Sequence, residues 1–269
     1  MAEPIRITEA TDPRISDYVN LTDVELRRRT EGDRGLFIAE GVLAIERLLK
    51  SDYRPRSFLF TAKAHDRLGA GAAVTGAPVF VAEPDVMRSV VGFDLHRGAV
   101  ASVVRPDPLP ADEVIAGAAL LLLVEGVNDH ENLGGLFRNA AAFGVDGVLL
   151  DPTCADPLYR RSVRVSMGHV LALPFARLRP WITGLHDLGA RGVTIVALTP
   201  DPAAVAIEQL GTVPAPLAVL VGSEGSGLGE VTMSAVDRHV RIPMAPGVDS
   251  LNVATAAAVA LHRLSPVPG

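Results

Sequence analysis

The stretch Leu217–Leu261, LAVLVGSEGSGLGEVTMSAVDRHVRIPMAPGVDSLNVATAAAVAL, decides how this chain folds. Its first five residues form an apolar run that predicts a buried strand, and the run leads straight into a glycine-rich turn, Gly222 to Gly227. A second irregular segment, Pro243 to Asn252, then enters the small, apolar run Val253 to Leu264. A helix of that composition is buried, which pins the loop ahead of it near the core. Gly222, Gly225 and Gly227 let the backbone turn sharply and approach a bound molecule, because no Cβ stands in the way. Glu224 sets one carboxylate inside the turn. Taken alone, such a turn reads equally well as a strand-to-helix connection that binds nothing. A dinucleotide site would show G-x-G-x-x-G after an early strand and an acidic residue about 20 positions later. Here the glycines come late and in another order, and no Lys follows them as in a P-loop. Ser250 and Asn252 flank Leu251 just before the helical run, and one of the two is expected to cap the helix.

Upstream, Leu120 to Val124 predicts a second buried strand, and Gly126 to Asn132 reads as the loop that follows it. A helix runs from there to Phe143, Gly144 closes it, and Gly147 to Leu150 forms the next strand. Leu136, Ala140 and Phe143 share one helix face, while Arg138 points elsewhere. An arginine on an exposed helix face is usually just solvated. This one stands six residues after Asn132, beyond the carboxyl end of a buried strand, where α/β sheets place ligands.

Asn132-x-Gly134-x-x-x-Arg138, Gly222-x-Glu224-x-x-Gly227-Leu228 and Ile242-Pro-Met through Ser250-Leu-Asn252 together resemble the three motifs of the SpoU/TrmH family of RNA ribose 2′-O-methyltransferases, in the SPOUT superfamily. Spacing and order both match, from Leu120 to Leu264. The resemblance implies an α/β fold with a C-terminal trefoil-knotted SPOUT methyltransferase domain, 118–269, that binds S-adenosyl-L-methionine bent in its knotted loops. It also implies a smaller N-terminal α/β ribosomal-protein-like substrate-binding domain, 1–107, and a homodimer whose RNA site is completed across the interface. Cofactor contacts then fall on Leu220, Val221, Gly222, Gly227, Ile242, Met244 and Leu251, mostly through backbone, with Leu220, Ile242 and Leu251 flanking the adenine. The catalytic set is Arg138, Asn132, Glu224, Ser250 and Asn252. Family proposals let the arginine act on the hydroxyl proton. A guanidinium is a poor base, so orientation of the hydroxyl and stabilisation of a developing alkoxide are its expected roles, with direct proton abstraction as the alternative. Glu224 either stands near the hydroxyl or cofactor or, preferably, accepts backbone N–H groups of its own loop.

At 269 residues and 48% apolar composition the chain is long enough for two cores. The proline-rich 105–110 reads as a linker and 111–117 as a linker or connecting helix. Before it, apolar runs at 36–39, 58–61, 79–82 and 99–104 alternate with helical stretches near 42–49, 65–68 and 84–91, the pattern of a small α/β domain. Within it, Glu40-Gly41 followed by Val42, Ile45 and Leu48 agrees with the family's N-terminal pattern.

A net charge of −6 is a poor global match for RNA, so the local clusters matter more. Arg27-Arg28-Arg29 with Arg34, Arg54 with Arg56, and Arg160-Arg161 with Arg164 are candidate RNA contacts, rich in Arg as bidentate phosphate binding prefers. The last cluster lies in a segment that resembles a family stretch reading Ser-Pro-Lys then Arg-x-Ser-x-Gly. Arg164, Ser166 and Gly168 fit it, whereas Tyr159-Arg160 and His169 depart from it. One cysteine, Cys154, excludes an internal disulfide and a multi-cysteine metal site, and the seven histidines have no ligand spacing, so no metal is expected. No apolar run of about 18 residues predicts a membrane span and no signal peptide is visible, so a cytoplasmic chain is expected. Three readings compete: a knotted enzyme that methylates a base, a non-catalytic RNA-binding module, and a nucleotide-dependent dehydrogenase.

Overall fold

The computed structural model describes residues 3–22, 34–95 and 98–265, so Arg27 and Arg28 lie outside the described residues. It holds two compact units, each with its own sheet. The first comprises the chain to Asp107 together with Leu158–Ala172. Its elements include β1 (Ile5–Ile7), β2 (Leu36–Glu40), α1 (Val42–Leu48), β3 (Pro55–Phe60), α2 (Ala62–Val74), β4 (Val79–Ala82), α3 (Pro84–Val91) and β5 (Ala99–Val104), with a short helix Arg160–Val165 in its later segment. The sheet order is β1-β4-β3-β5-β2. β1, β4 and β3 run parallel, and β5 is antiparallel to both of its neighbours. Ile38, Leu59, Phe80 and Val100 from the strands pack with Ile15, Tyr18, Met87 and Val90 into one core. The stretch expected near 65–68 is a single turn of the longer α2: Thr61 caps that helix by accepting the Ala64 N–H, and small residues carry it on to Val74. β1, three residues long, is too short to show a period in sequence.

Leu158–Ala172 belongs to the first unit although the chain on either side of it belongs to the second. The reason is a buried charge. Glu40 at the end of β2 is 5% exposed and accepts Arg160 Nη1 at 2.6 Å, while the guanidinium lies 4.7 Å from the Phe93 ring centroid. Arg47 in α1 donates to the Met167 carbonyl at 2.7 Å, and its Nη2 lies 2.9 Å from His169 Nε2. Gly168 has φ +83, and a Cβ there would stand 2.7 Å from the Ala44 Cα, so only glycine fits. The N-terminal unit is therefore larger than 1–107, and Arg160, expected to contact RNA, instead neutralises Glu40. Arg161 and Arg164 are exposed.

The second unit comprises Pro108–Pro157 and the chain from Leu173. It contains α4 (Ala111–Ile115), β6 (Leu120–Val124), α5 (His130–Ala142), β7 (Gly147–Leu150), β8 (Phe175–Arg177), α6 (Trp181–Ala190), β9 (Thr194–Leu198), β10 (Val205–Ala206), β11 (Leu217–Val221), α7 (Glu230–Ser234), β12 (Arg238–Arg241) and α8 (Val253–Leu264). The sheet has seven strands in the order β10-β12-β9-β11-β6-β7-β8, all parallel. β6 and β11, LLLLV and LAVLV, are buried throughout, as strands covered on both faces must be. The chain moves outward from β6 to β8, crosses to the other side at β9, and later inserts β11 beside β6. The sheet thus reverses direction between β6 and β11, and the crevice beyond their carboxyl ends is where such sheets bind ligands.

After β12 the chain comes back to lay α8 against α5. Asn139 Nδ2 donates to the Ala254 carbonyl at 2.7 Å, and Ser265 Oγ donates to the Phe143 carbonyl at 2.7 Å. Gly135 permits this approach, since a Cβ on it would meet the Ala254 Cβ at 3.0 Å. α5 starts earlier than the sequence suggested: Asp129 caps it by accepting the Glu131 and Asn132 N–H groups, so Asn132 lies inside the first turn. Among the described residues no helix is long and apolar enough to cross a membrane.

Removing one partner of a buried ion pair strands the other charge, at a cost of about 3–5 kcal/mol. Arg160→Ala should lower stability by about that amount in chemical denaturation, while Arg164→Ala at an exposed position changes it by less than about 0.5 kcal/mol. Equal, small effects would contradict the structural role of Arg160.

Candidate active site

Three of the five expected catalytic residues meet beyond the carboxyl ends of β6 and β11. Asn252 caps α8, its Oδ1 accepting the Ala254 and Thr255 N–H groups at 3.0 and 3.2 Å. Its Nδ2 donates to Asn132 Oδ1 at 2.7 Å and to Glu224 Oε1 at 2.6 Å. One carboxamide thus uses both donors and both acceptor positions. Glu224 also accepts the Val253 N–H at 3.4 Å. Its carboxylate serves the start of α8 and not, as expected, the N–H groups of its own loop. Asn132 Nδ2 keeps its two donors free of any partner among the described residues.

The glycine-rich loop is folded tightly on itself. Ser223 and Gly227 form an antiparallel bridge, Ser223 Oγ lies 2.6 Å from Ser226 Oγ, and Gly225 and Gly227 adopt φ of +94 and +66. A Cβ on Gly222 would stand 2.5 Å from the Gly227 carbonyl carbon. Glycine is needed at 222 because the loop's own backbone returns there, so a larger residue would deform the loop before it met a ligand. The loop faces two ways. Glu224 reaches Asn252, while Ser223, Ser226 and Gly227 line a cleft of about 360 Å³ bordered by Glu125, Asp151 and Trp181.

The other expected residues are placed less tightly. Arg138 projects from α5 into solvent with no hydrogen bond or ion pair among the described residues. Ser250 is exposed two residues ahead of Asn252. Leu220 is fully buried in the core with Leu121, Leu123 and Ile195, so its side chain does not flank an adenine; only its backbone is offered, and Val221 is equally buried. Ile242 and Met244 are half-buried, and Leu251 and Val248 are 36% and 48% exposed.

The model of the SpoU rRNA Methylase family matches residues 119–262. The chain belongs to that family. It is 45% identical over 260 residues to an uncharacterized tRNA/rRNA methyltransferase of Mycobacterium tuberculosis, covering 96% of this chain and 90% of the relative. It is also 31% identical to the 23S rRNA (guanosine-2′-O-)-methyltransferase RlmB of Ralstonia nicotianae, over 71% of this chain and 78% of that protein. Its fold matches the crystal structure of an AdoMet-bound rRNA methyltransferase from Sinorhizobium meliloti with a TM-score of 0.77, at 25% identity and 96% coverage of each chain. The mixed α/β architecture is therefore that of the SpoU/TrmH methyltransferases.

In this SpoU chain the sequence reading missed two carboxylates that brace the site. Glu125, the first residue after β6, accepts Trp181 Nε1 at 2.6 Å, the Gly229 N–H at 2.8 Å and the Thr232 hydroxyl. It clamps the far end of the glycine-rich loop to α6 and α7. Asp151, after β7, accepts the Gly126 N–H at 3.1 Å, the Cys154 N–H at 2.9 Å and the Thr153 hydroxyl at 2.8 Å. Burial pulls its carboxyl up, but hydrogen bonds from Cys154, Gly126 and Thr153 outweigh that and hold it below the usual range. The only sequence signal was position: each acid directly follows an apolar strand. Arg177 fixes the same loop by donating to the Asp151 and Cys154 carbonyls, both at 2.9 Å.

Burial pushes the Cys154 thiol up to about 12, with the neighbouring Asp151 carboxylate adding to the effect. At pH 8 it is almost wholly protonated, and alkylation by iodoacetamide should run on the order of a thousandfold more slowly than with an exposed thiol. Rapid labelling of the folded protein would contradict this environment.

Proposed function

We propose that this protein transfers a methyl group from S-adenosylmethionine to a ribose 2′-hydroxyl of ribosomal or transfer RNA. The observation that carries the reading is the Asn132–Asn252–Glu224 hydrogen-bonded cluster at the switch point of a parallel sheet, in a chain whose family is that of RNA methyltransferases. Likeness to RlmB favours ribose over base as the acceptor.

The loops suit the cofactor. Leu251 and Val248 are exposed in the loop that runs into α8, and the flat apolar face of an adenine would cover them. Backbone groups near Gly222, Gly227, Ile242 and Met244 supply hydrogen bonds for its polar parts. When bound, the sulfonium supplies an electrophilic methyl carbon, and the protein's task reduces to positioning and to managing one proton. Asn132 Nδ2 is oriented by its own oxygen's bond to Asn252 and is free to hold the ribose. Glu224 Oε2, with no partner among the described residues, is free to accept a hydrogen bond from the hydroxyl. Arg138 has its whole guanidinium available for the ribose hydroxyl, the adjoining phosphate and the developing alkoxide. The same likeness supports a trefoil knot formed where the chain returns after β12, and a homodimer that completes the RNA site. An exposed Arg138 without a partner among the described residues agrees with a composite site.

Arg138→Ala should lower methyl transfer by roughly a hundred- to a thousandfold, the effect of losing one transition-state contact worth about 3–4 kcal/mol. Cofactor affinity by calorimetry should hardly change, and Arg138→Lys should recover only part of the rate because the planar fork is lost. The assay is incorporation of labelled methyl into RNA followed by nucleoside analysis. Near-normal turnover of Arg138→Ala would remove the catalytic assignment, and label on a base would remove the reaction class.

A further inference from the structure

Glu125 holds the glycine-rich loop at both of its ends. Its backbone N–H donates to the Val221 carbonyl at 2.9 Å, directly before Gly222, and its Oε1 accepts the Gly229 N–H at 2.8 Å, where the loop gives way to α7. The stretch Gly222 to Leu228 therefore spans two bonds to one residue. The second end lies close against the acid, since a Cβ on Gly229 would stand 3.3 Å from Glu125 Oε1.

The rest of the carboxylate serves the same purpose. Oε2 accepts Trp181 Nε1 at 2.6 Å and the hydroxyl of Thr232, a residue 3% exposed. Among the described residues no cation pairs with Glu125, so its charge is met by the neutral donors of Gly229, α6 and α7 alone. Hydrogen bonds to an ionised acceptor are roughly twice as strong as neutral ones. Other support for the loop on this side is thin. Ser223, Ser226 and Gly227 border a cleft of about 360 Å³ that Glu125 and Trp181 also line, so there the loop faces open space and not packed side chains. Its position depends on hydrogen bonds.

The backbone at Gly222 and Gly227 and the carboxylate of Glu224 all lie between the two held ends. Moving either end moves all three, and a displacement of about 1 Å in a site that works by positioning costs on the order of a hundredfold in rate. We infer that Glu125 is a positioning residue for methyl transfer: it sets Gly222 and Gly227 for the cofactor and Glu224 for the ribose, and it passes the occupancy of the loop on to Trp181. The inference rests on the proposed methyl transfer. Trp181 is the single tryptophan of the chain, so the emission of the protein reports on this one indole and its bond to Glu125.

The test compares full-length wild type with Glu125→Gln, whose carboxamide keeps the size of the side chain but turns an N–H group towards one of the three donors. S-adenosylmethionine affinity by calorimetry should fall on the order of tenfold. The kcat of methyl transfer should fall by about ten- to a hundredfold while KM for RNA holds. Trp181 emission should shift when wild type binds S-adenosylmethionine, and Glu125→Gln should lose that shift. Thr232→Val removes one donor at matched shape and serves where Glu125→Gln is unstable; it should weaken cofactor binding in the same direction. A folded variant of either kind with lowered melting temperature but wild-type cofactor affinity, kcat and emission response would make the role merely structural and overturn the inference. A silent Trp181 in wild type that binds the cofactor would likewise overturn it. Wild type that bound no S-adenosylmethionine would instead overturn the functional reading beneath.

Discussion

The Asn252 carboxamide accepts the first N–H groups of α8 through its oxygen and reaches Asn132 and Glu224 through its nitrogen. It is a helix cap and a tie between three chain segments at once: the first turn of α5, the glycine-rich loop after β11, and the loop after β12. A cap of this kind contributes about 1 kcal/mol to a helix. Its larger effect is geometric, since both loops proposed to hold the cofactor are held together through this one amide and the Glu224 carboxylate it meets.

The sheet makes that junction available. β11 enters between β9 and β6, so the glycine-rich loop emerges beside the start of α5, and α8 returns to pack on α5 through Gly135 and Asn139. Glu125 braces the same loop from its other end through Gly229, Thr232 and Trp181. The loop is thus held at Glu224 on one side and at Gly229 on the other, and the glycines between give it the positive φ that its tight return demands. Such pre-organisation keeps polar groups in place before a substrate arrives, which is where a site that mainly positions its reactants gains rate.

Much of this was legible in the sequence because it follows from local pattern. The apolar runs of β6 and β11 and the small-residue composition of α8 point to a buried parallel sheet with a packed C-terminal helix, while the grouping of Asn132, Glu224 and Asn252 was implied by the resemblance of their three motifs to those of the SpoU/TrmH family. What escaped depended on long-range partners. Arg160 reads as part of a basic cluster, and only the buried Glu40, 120 positions away, turns it into a docking charge for Leu158–Ala172. Glu125 looks like an ordinary strand-end acid until Trp181 and Thr232 are brought to it. Leu220 was expected beside the adenine, but alternation along β11 points its side chain into the core with Leu121 and Ile195. Arg34 and Arg56 were visible as charges, but their ion pairs with the buried Asp17, at 3.1 and 3.0 Å, were not.

The central claim is that the Asn252–Glu224 contact shapes the cofactor loops. A double-mutant cycle with Asn252→Ala, Glu224→Ala and the double variant, read as S-adenosylmethionine affinity by calorimetry, tests it directly. The account predicts a coupling energy of about 1 kcal/mol or more, because either single change breaks the same tie. Effects that add to within about 0.3–0.5 kcal/mol would show the two residues acting independently and would contradict it.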